Sequence, residues 1–79
     1  MNIKYLETVF KNAKENGLDV CVEVTIPGQN DTEFIVNKNA SIENKLAYYK
    51  KTYDENLIHN HCNEIKIVNI RKIKFEEEN

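Results

Sequence analysis

Tryptophan is missing from this chain, arginine, proline and serine occur once each, and glycine and cysteine occur only twice. Each scarcity excludes something. Two glycines leave no phosphate-cradling loop, the lone serine is not in a nucleophile elbow, and neither histidine has an evident acid partner. No catalytic residue and no cofactor site is therefore expected, and the reading is not that of an enzyme. No apolar run approaches the roughly 20 residues of a membrane helix. The amino terminus is amphipathic, with Lys4, Glu7 and Lys11 among its apolar residues, and does not read as a signal peptide. Without an export signal the two cysteines are expected to be free thiols, in a cytoplasmic setting. A net charge of −2 gives the whole molecule no field that would draw nucleic acid or an anionic membrane.

What is present describes a small domain. Seventy-nine residues, 41% of them hydrophobic, suffice for one core. Val20, Val22, Val24 and Ile26 alternate with Cys21, Glu23 and Thr25, the period-two pattern of a strand with one buried face. Before it, Ile3, Leu6, Val9, Phe10 and Ala13 fall within one arc of a helix spanning 3–16, and Gly17 stands where a left-handed cap is expected. After it, Pro27 to Asp31 supplies turn residues, and a second strand over 32–36 closes a hairpin, with Phe34 and Val36 expected inside. Ser41 is placed to cap a second helix over 42–56, whose buried stripe would be Ile42, Leu46, Tyr49, Tyr53 and Leu57. Residues 57–63 break both periodicities and read as a loop.

The last element, Glu64 to Phe75, is rich in isoleucine, but its alternation slips phase. Ile65 and Ile67 share one face, Val68 and Ile70 the other, and Ile73 with Phe75 the first again, so either a bulge resets the register or the strand is apolar on both sides. Connection rules then give an α+β fold of topology α-β-β-α-β, with a three-stranded antiparallel sheet in the order 2-1-3 and both helices on one face. The domain covers 1–75, and 76–79 reads as a disordered acidic tail. The opposite face would show Cys21, Thr25, Ile35, Ile65 and Ile67. It is too apolar for water, so a homodimer or a protein partner is expected to cover it, with Tyr48 and Lys51 on the second helix as a further interface.

Two constellations invite other chemistry. His59, His61 and Cys62 are of ligand type for zinc, but a fourth ligand is lacking and a polar loop is the better reading; no metal site is assigned. Tyr48, Lys51, Arg71 and Lys72 combine aromatic and basic groups, the chemistry of single-stranded nucleic-acid binding, which is kept as the alternative function.

The helix IKYLETVFKNAKENG, the strand and turn DVCVEVTIPGQND and the helix around KLAYYKKTY resemble the small uncharacterised proteins encoded by phages and prophages of AT-rich Gram-positive bacteria, clostridia especially. The resemblance implies a setting. What it implies is a single-domain accessory protein that binds and modulates one host macromolecule, defence nucleases included, so the expected role is a non-enzymatic module that binds a host or phage protein.

Overall fold

The structure, a computed structural model, describes residues 1–74; Phe75 and the expected tail at 76–79 lie outside the described residues. Its elements are α1 (Ile3–Glu15), β1 (Asp19–Thr25), β2 (Thr32–Asn37), α2 (Ile42–Thr52), β3 (Ile58–His59) and β4 (Cys62–Ile73). All pairings are antiparallel, and the sheet order is β2-β1-β4-β3. The α+β class and the central place of β1 are as expected, but a fourth strand is added. Residues 57–63 are not simply a loop: they carry β3, which folds back on the start of β4.

The local chemistry explains the element boundaries. Asn2 caps α1 by accepting the Tyr5 N–H at 3.0 Å. At the other end Gly17, at φ +67°, lets the Leu18 N–H return to the Ala13 carbonyl at 2.9 Å, closing a Schellman turn. Pro27 and Gly28, the latter at φ +76°, occupy the centre of a type II turn sealed by the Gln29 N–H on the Ile26 carbonyl at 3.1 Å. Ser41, by contrast, makes no side-chain cap. The junction into α2 is held instead by Asn39, whose amide donates to the carbonyls of Ala13 (3.2 Å) and Leu18 (2.9 Å) while its backbone N–H donates to Asp19 Oδ1 (2.8 Å).

Both helices share one core with the sheet. Leu6, Val9, Phe10 and Ala13 of α1 and Ile42 and Tyr49 of α2 bury against Val20, Val22, Val24, Ile67 and Ile70. Complete burial of a residue such as Phe10 or Ile67 contributes about 1.5–3 kcal/mol. α2 ends at Thr52, four residues short of the expected boundary, yet Tyr53 and Leu57 remain in the core. They do so because Asp54 turns the chain: its Oδ1 accepts the N–H groups of Asn56 (2.8 Å) and Ile58 (3.0 Å), and Leu57 adopts φ +64° to point inward. An aromatic series runs outward from this core, Phe10 to Tyr49 to Tyr53 to His59, with successive ring centroids 5.5, 5.8 and 5.4 Å apart.

The phase slip in β4 is a bulge. Glu23 pairs with Asn69 but Val24 pairs with Ile67, so Val68 has no counterpart on β1. The extra residue places Ile67 and Ile70 on the same, helix-covered face, at 0% and 3% exposure.

Candidate interaction surface

The face of the sheet away from the helices is built by register. Cys21 lies between Val36 of β2 and Arg71 of β4, and Glu23 lies between Phe34 and Asn69. Since cross-strand partners share a face, these side chains form two rows across the open side. Phe34 and Val36 are 56% and 41% exposed. The Arg71 guanidinium crosses β1 diagonally to stand 5.9 Å from the Phe34 ring centroid, a cation–π contact that helps cover Cys21, itself only 7% exposed. Glu23 accepts the Thr32 hydroxyl at 2.5 Å, and Thr25 bridges to β4, donating to the Glu64 carbonyl (2.7 Å) and accepting the Lys66 N–H (2.9 Å).

This arrangement corrects the expected composition of the face. Cys21 and Thr25 are on it, but Ile35, Ile65 and Ile67 are not. Ile35 pairs with Val22 and Ile67 with Val24, both helix-facing, and Ile35 and Ile65 are half-buried against the core. Phe34 and Val36, expected inside, point out instead. The cause is Asn37: fully buried opposite Val20, it donates to the Val20 carbonyl (3.2 Å) and accepts the Tyr49 hydroxyl (3.2 Å). Two residues earlier on the same strand, Ile35 must share its side.

The aromatic and basic residues considered for nucleic acid are divided by the sheet. Tyr48, 52% exposed and edge-on to Tyr49 at 5.2 Å, lies with Lys51 on α2, in the helix layer. Lys72 also points to the helix side, its Nζ donating to Asn12 of α1 at 2.7 Å, whereas Arg71 occupies the open face. Glu55 lies past the end of α2, where its carbonyl accepts the Ile3 N–H at 3.0 Å.

At the β3–β4 hairpin, His59 Nδ1 accepts the His61 N–H at 3.1 Å and its ring packs on Tyr53. That leaves the imidazole engaged in the turn, and no group of three or more potential metal ligands occurs among the described residues. Both cysteines are free. Burial is the first cause that holds the Tyr49 and Tyr53 phenols protonated, the latter up to about 12, while Lys50, donating to Glu7 at 2.6 Å, draws that carboxyl below its ordinary range. An open cavity of about 490 Å³ lies beside the bulge, lined by Met1, Asn56, Lys66, Ile67 and Val68. It gathers no paired acid and base.

No helix among the described residues is long and apolar enough to cross a membrane. No protein-family model, curated protein or solved structure matches this chain.

Proposed function

We propose that this chain is a small protein-binding module, without catalysis, that docks a host or phage protein through the open face of its sheet and also associates with itself. One observation carries the reading: Phe34 and Val36 stand exposed side by side on a sheet face, with Arg71 over the Phe34 ring, while the core beneath is complete without them. Aromatic and arginine side chains are enriched at protein interfaces, and an edge-strand phenylalanine at this exposure has no folding role that would keep it apolar. The resemblance to accessory proteins of phages and prophages supplies the setting, a cytoplasmic modulator of one host macromolecule, defence nucleases included.

A photo-crosslinking residue at position 34 tests this in cells, with position 45 on the outer side of α2 as control. The reading requires one discrete protein adduct at position 34 that is absent at 45 and is lost with Val36→Asp. Equal labelling at both positions would refute it. The alternative, a single-stranded nucleic-acid binder, has its expected constellation divided, with Tyr48, Lys51 and Lys72 on the helix side and Arg71 alone on the open face. It would show affinity that falls steeply with salt, because phosphate neutralisation releases counterions.

A further inference from the structure

The sheet has two outer edges, and they differ. On one side β3 is only two residues long, and beyond it β4 carries the bulge at Val68 and then Arg71 and Lys72. Short strands, bulges and cations are the devices by which edges refuse further pairing. On the other side β2 runs all six of its residues against β1 without a bulge, a proline or a cation, and no strand among the described residues lies beyond it. Its outward backbone groups are those of Phe34 and Val36. The Asn37 amide reaches the Val20 and Ile35 carbonyls together, at 3.2 and 3.3 Å, so the Ile35 carbonyl lies on the β1 side. By alternation the N–H and C=O groups of Phe34 and Val36 turn the other way.

We propose that β2 of a second copy of this chain pairs along this edge, antiparallel about a two-fold axis at Ile35, so that Phe34 of each copy stands beside Val36 of the other. Face matching allows the axis only at a residue, because an axis between residues would oppose side chains of opposite faces. At Phe34 it would set Glu33 against Ile35 and Thr32 against Val36; at Val36 it would set Phe34 against Lys38 and Ile35 against Asn37. At Ile35 like meets like: Phe34 with Val36, Ile35 with itself, Glu33 with Asn37, and Thr32 with Lys38. Glu33, the sole charge of the strand, does not meet its own copy. The Phe34–Val36 pairs are then the hydrogen-bonded ones, and they join backbone groups that a single chain leaves open. Arg71 stays over Phe34, since it approaches from the β1 side and the second copy from the outer side. The proposal rests on the reading that the module self-associates, and it deepens that reading. The two open faces become one surface, in which each exposed Phe34 gains Val36 of the other copy as a neighbour.

Such a contact is smaller than the roughly 1,200 Å² of a standard interface, so the dimer dissociates on dilution and melts at micromolar concentration report the single chain. Sedimentation equilibrium at up to about 1 mM would compare the wild type with Phe34→Lys, Val36→Glu and the combined variant, with circular dichroism to confirm folding. Within one chain the new ammonium shares its row with Glu23 and the new carboxylate its row with Arg71, so the fold brings opposite charges together. Each single variant is expected to weaken the dimer about tenfold or more. The combined variant, in which each ammonium opposes the carboxylate of the other copy, should bind at least about tenfold more tightly than either single one. In a Cys62→Ser background, Ile35→Cys treated with diamide should give a disulfide-linked dimer, whereas Phe34→Cys, more exposed but lying diagonally about 7–8 Å from its own copy, should not. A wild type that stays monomeric overturns the proposal. So do single variants without effect, a combined variant no tighter than the singles, or Phe34→Cys linking as readily as Ile35→Cys. In the position 34 crosslink, an adduct of twice the chain's mass is the second copy, and one of any other mass is the partner. A partner adduct on a chain that stays monomeric keeps the docking face and removes the dimer; a dimer with no partner adduct does the reverse.

Discussion

Removing the Tyr49 hydroxyl would test how the hydrogen bond that ties α2 to the edge of the sheet contributes to stability. That hydroxyl donates to Asn37 Oδ1 at 3.2 Å, where both residues are nearly inaccessible to water, and the Asn37 amide in turn holds the Val20 and Ile35 carbonyls at 3.2 and 3.3 Å. Tyr49→Phe preserves the ring and its edge contact with Phe10 but leaves Oδ1 buried without this donor. The cost is that of an unmet buried acceptor, about 1–3 kcal/mol. Asn37→Ala removes the acceptor and the amide together, opens a small cavity, and strands the tyrosine hydroxyl, for about 3–4 kcal/mol. Both are large beside the total expected for a chain of this size, about 4–12 kcal/mol. Because they break one shared bond, the double variant should cost about 1 kcal/mol less than the sum of the singles. Urea unfolding at constant slope measures all three, and on heating Tyr49→Phe alone should lower Tm by about 4–20 °C. Additive effects, or a Tyr49→Phe variant as stable as the wild type, would refute the assigned bond.

Ile67→Glu puts a carboxylate into a fully buried site and should abolish the cooperative melt followed by circular dichroism, whereas Phe34→Ser should change stability by less than about 0.5 kcal/mol. At position 57 the usual order of alanine over glycine should reverse. Leu57→Gly loses the buried side chain but relaxes the positive φ, so it should exceed Leu57→Ala in stability by about 1 kcal/mol in urea titrations, and the opposite order would contradict the left-handed geometry. The Tyr53 phenol, with its folded pKa pushed up to about 12 from 10.0, keeps its proton longer folded than unfolded. The stability tied to that shift is therefore complete below pH 10 and declines as pH rises toward 12. Tyr53→Phe should flatten that decline in pH-dependent melting curves, and an unchanged decline would argue against the assignment.

Much of the architecture could be read from residues whose chemistry permits one answer. The alternation of Val20, Val22 and Val24 fixed the central strand, Pro27-Gly28 the turn, and Gly17 the end of α1. The broken rhythm of isoleucines left two readings, a bulge or a strand apolar on both sides, and the register with β1 shows the bulge. The sides of β2 were illegible for a definite reason: Phe34, Ile35 and Val36 are consecutive apolar residues, and the residue that decides between them, Asn37, is polar and buried. A hydrophobic pattern cannot signal a position held by a tyrosine hydroxyl on another element. Ile65 and Ile67 were expected on the open face because a slip in alternation does not show which half of the strand faces the helices. β3, at two residues, is too short to carry a period. As a result the Cys21 and Thr25 positions of the open surface were anticipated, while Phe34, Val36 and the Arg71 contact emerged only from the register.

The bulge also changes how this strand responds to insertion and deletion. Before Val68 the inward positions of β4 are odd-numbered, Ile65 and Ile67; after it they are even-numbered, Ile70 and Lys72. Val68 acts as a frame correction written into the protein: one residue that the neighbouring strand skips, so that two segments in opposite phase both deliver their isoleucines to the core. Losing one residue at Val68 would straighten β4 while preserving the orientation of Ile65, Ile67, Ile70 and Lys72. Losing one residue between Ile70 and Ile73 would instead throw the residues beyond it to the wrong side. Length variation in this strand is therefore tolerable at one point, and that point borders the cavity.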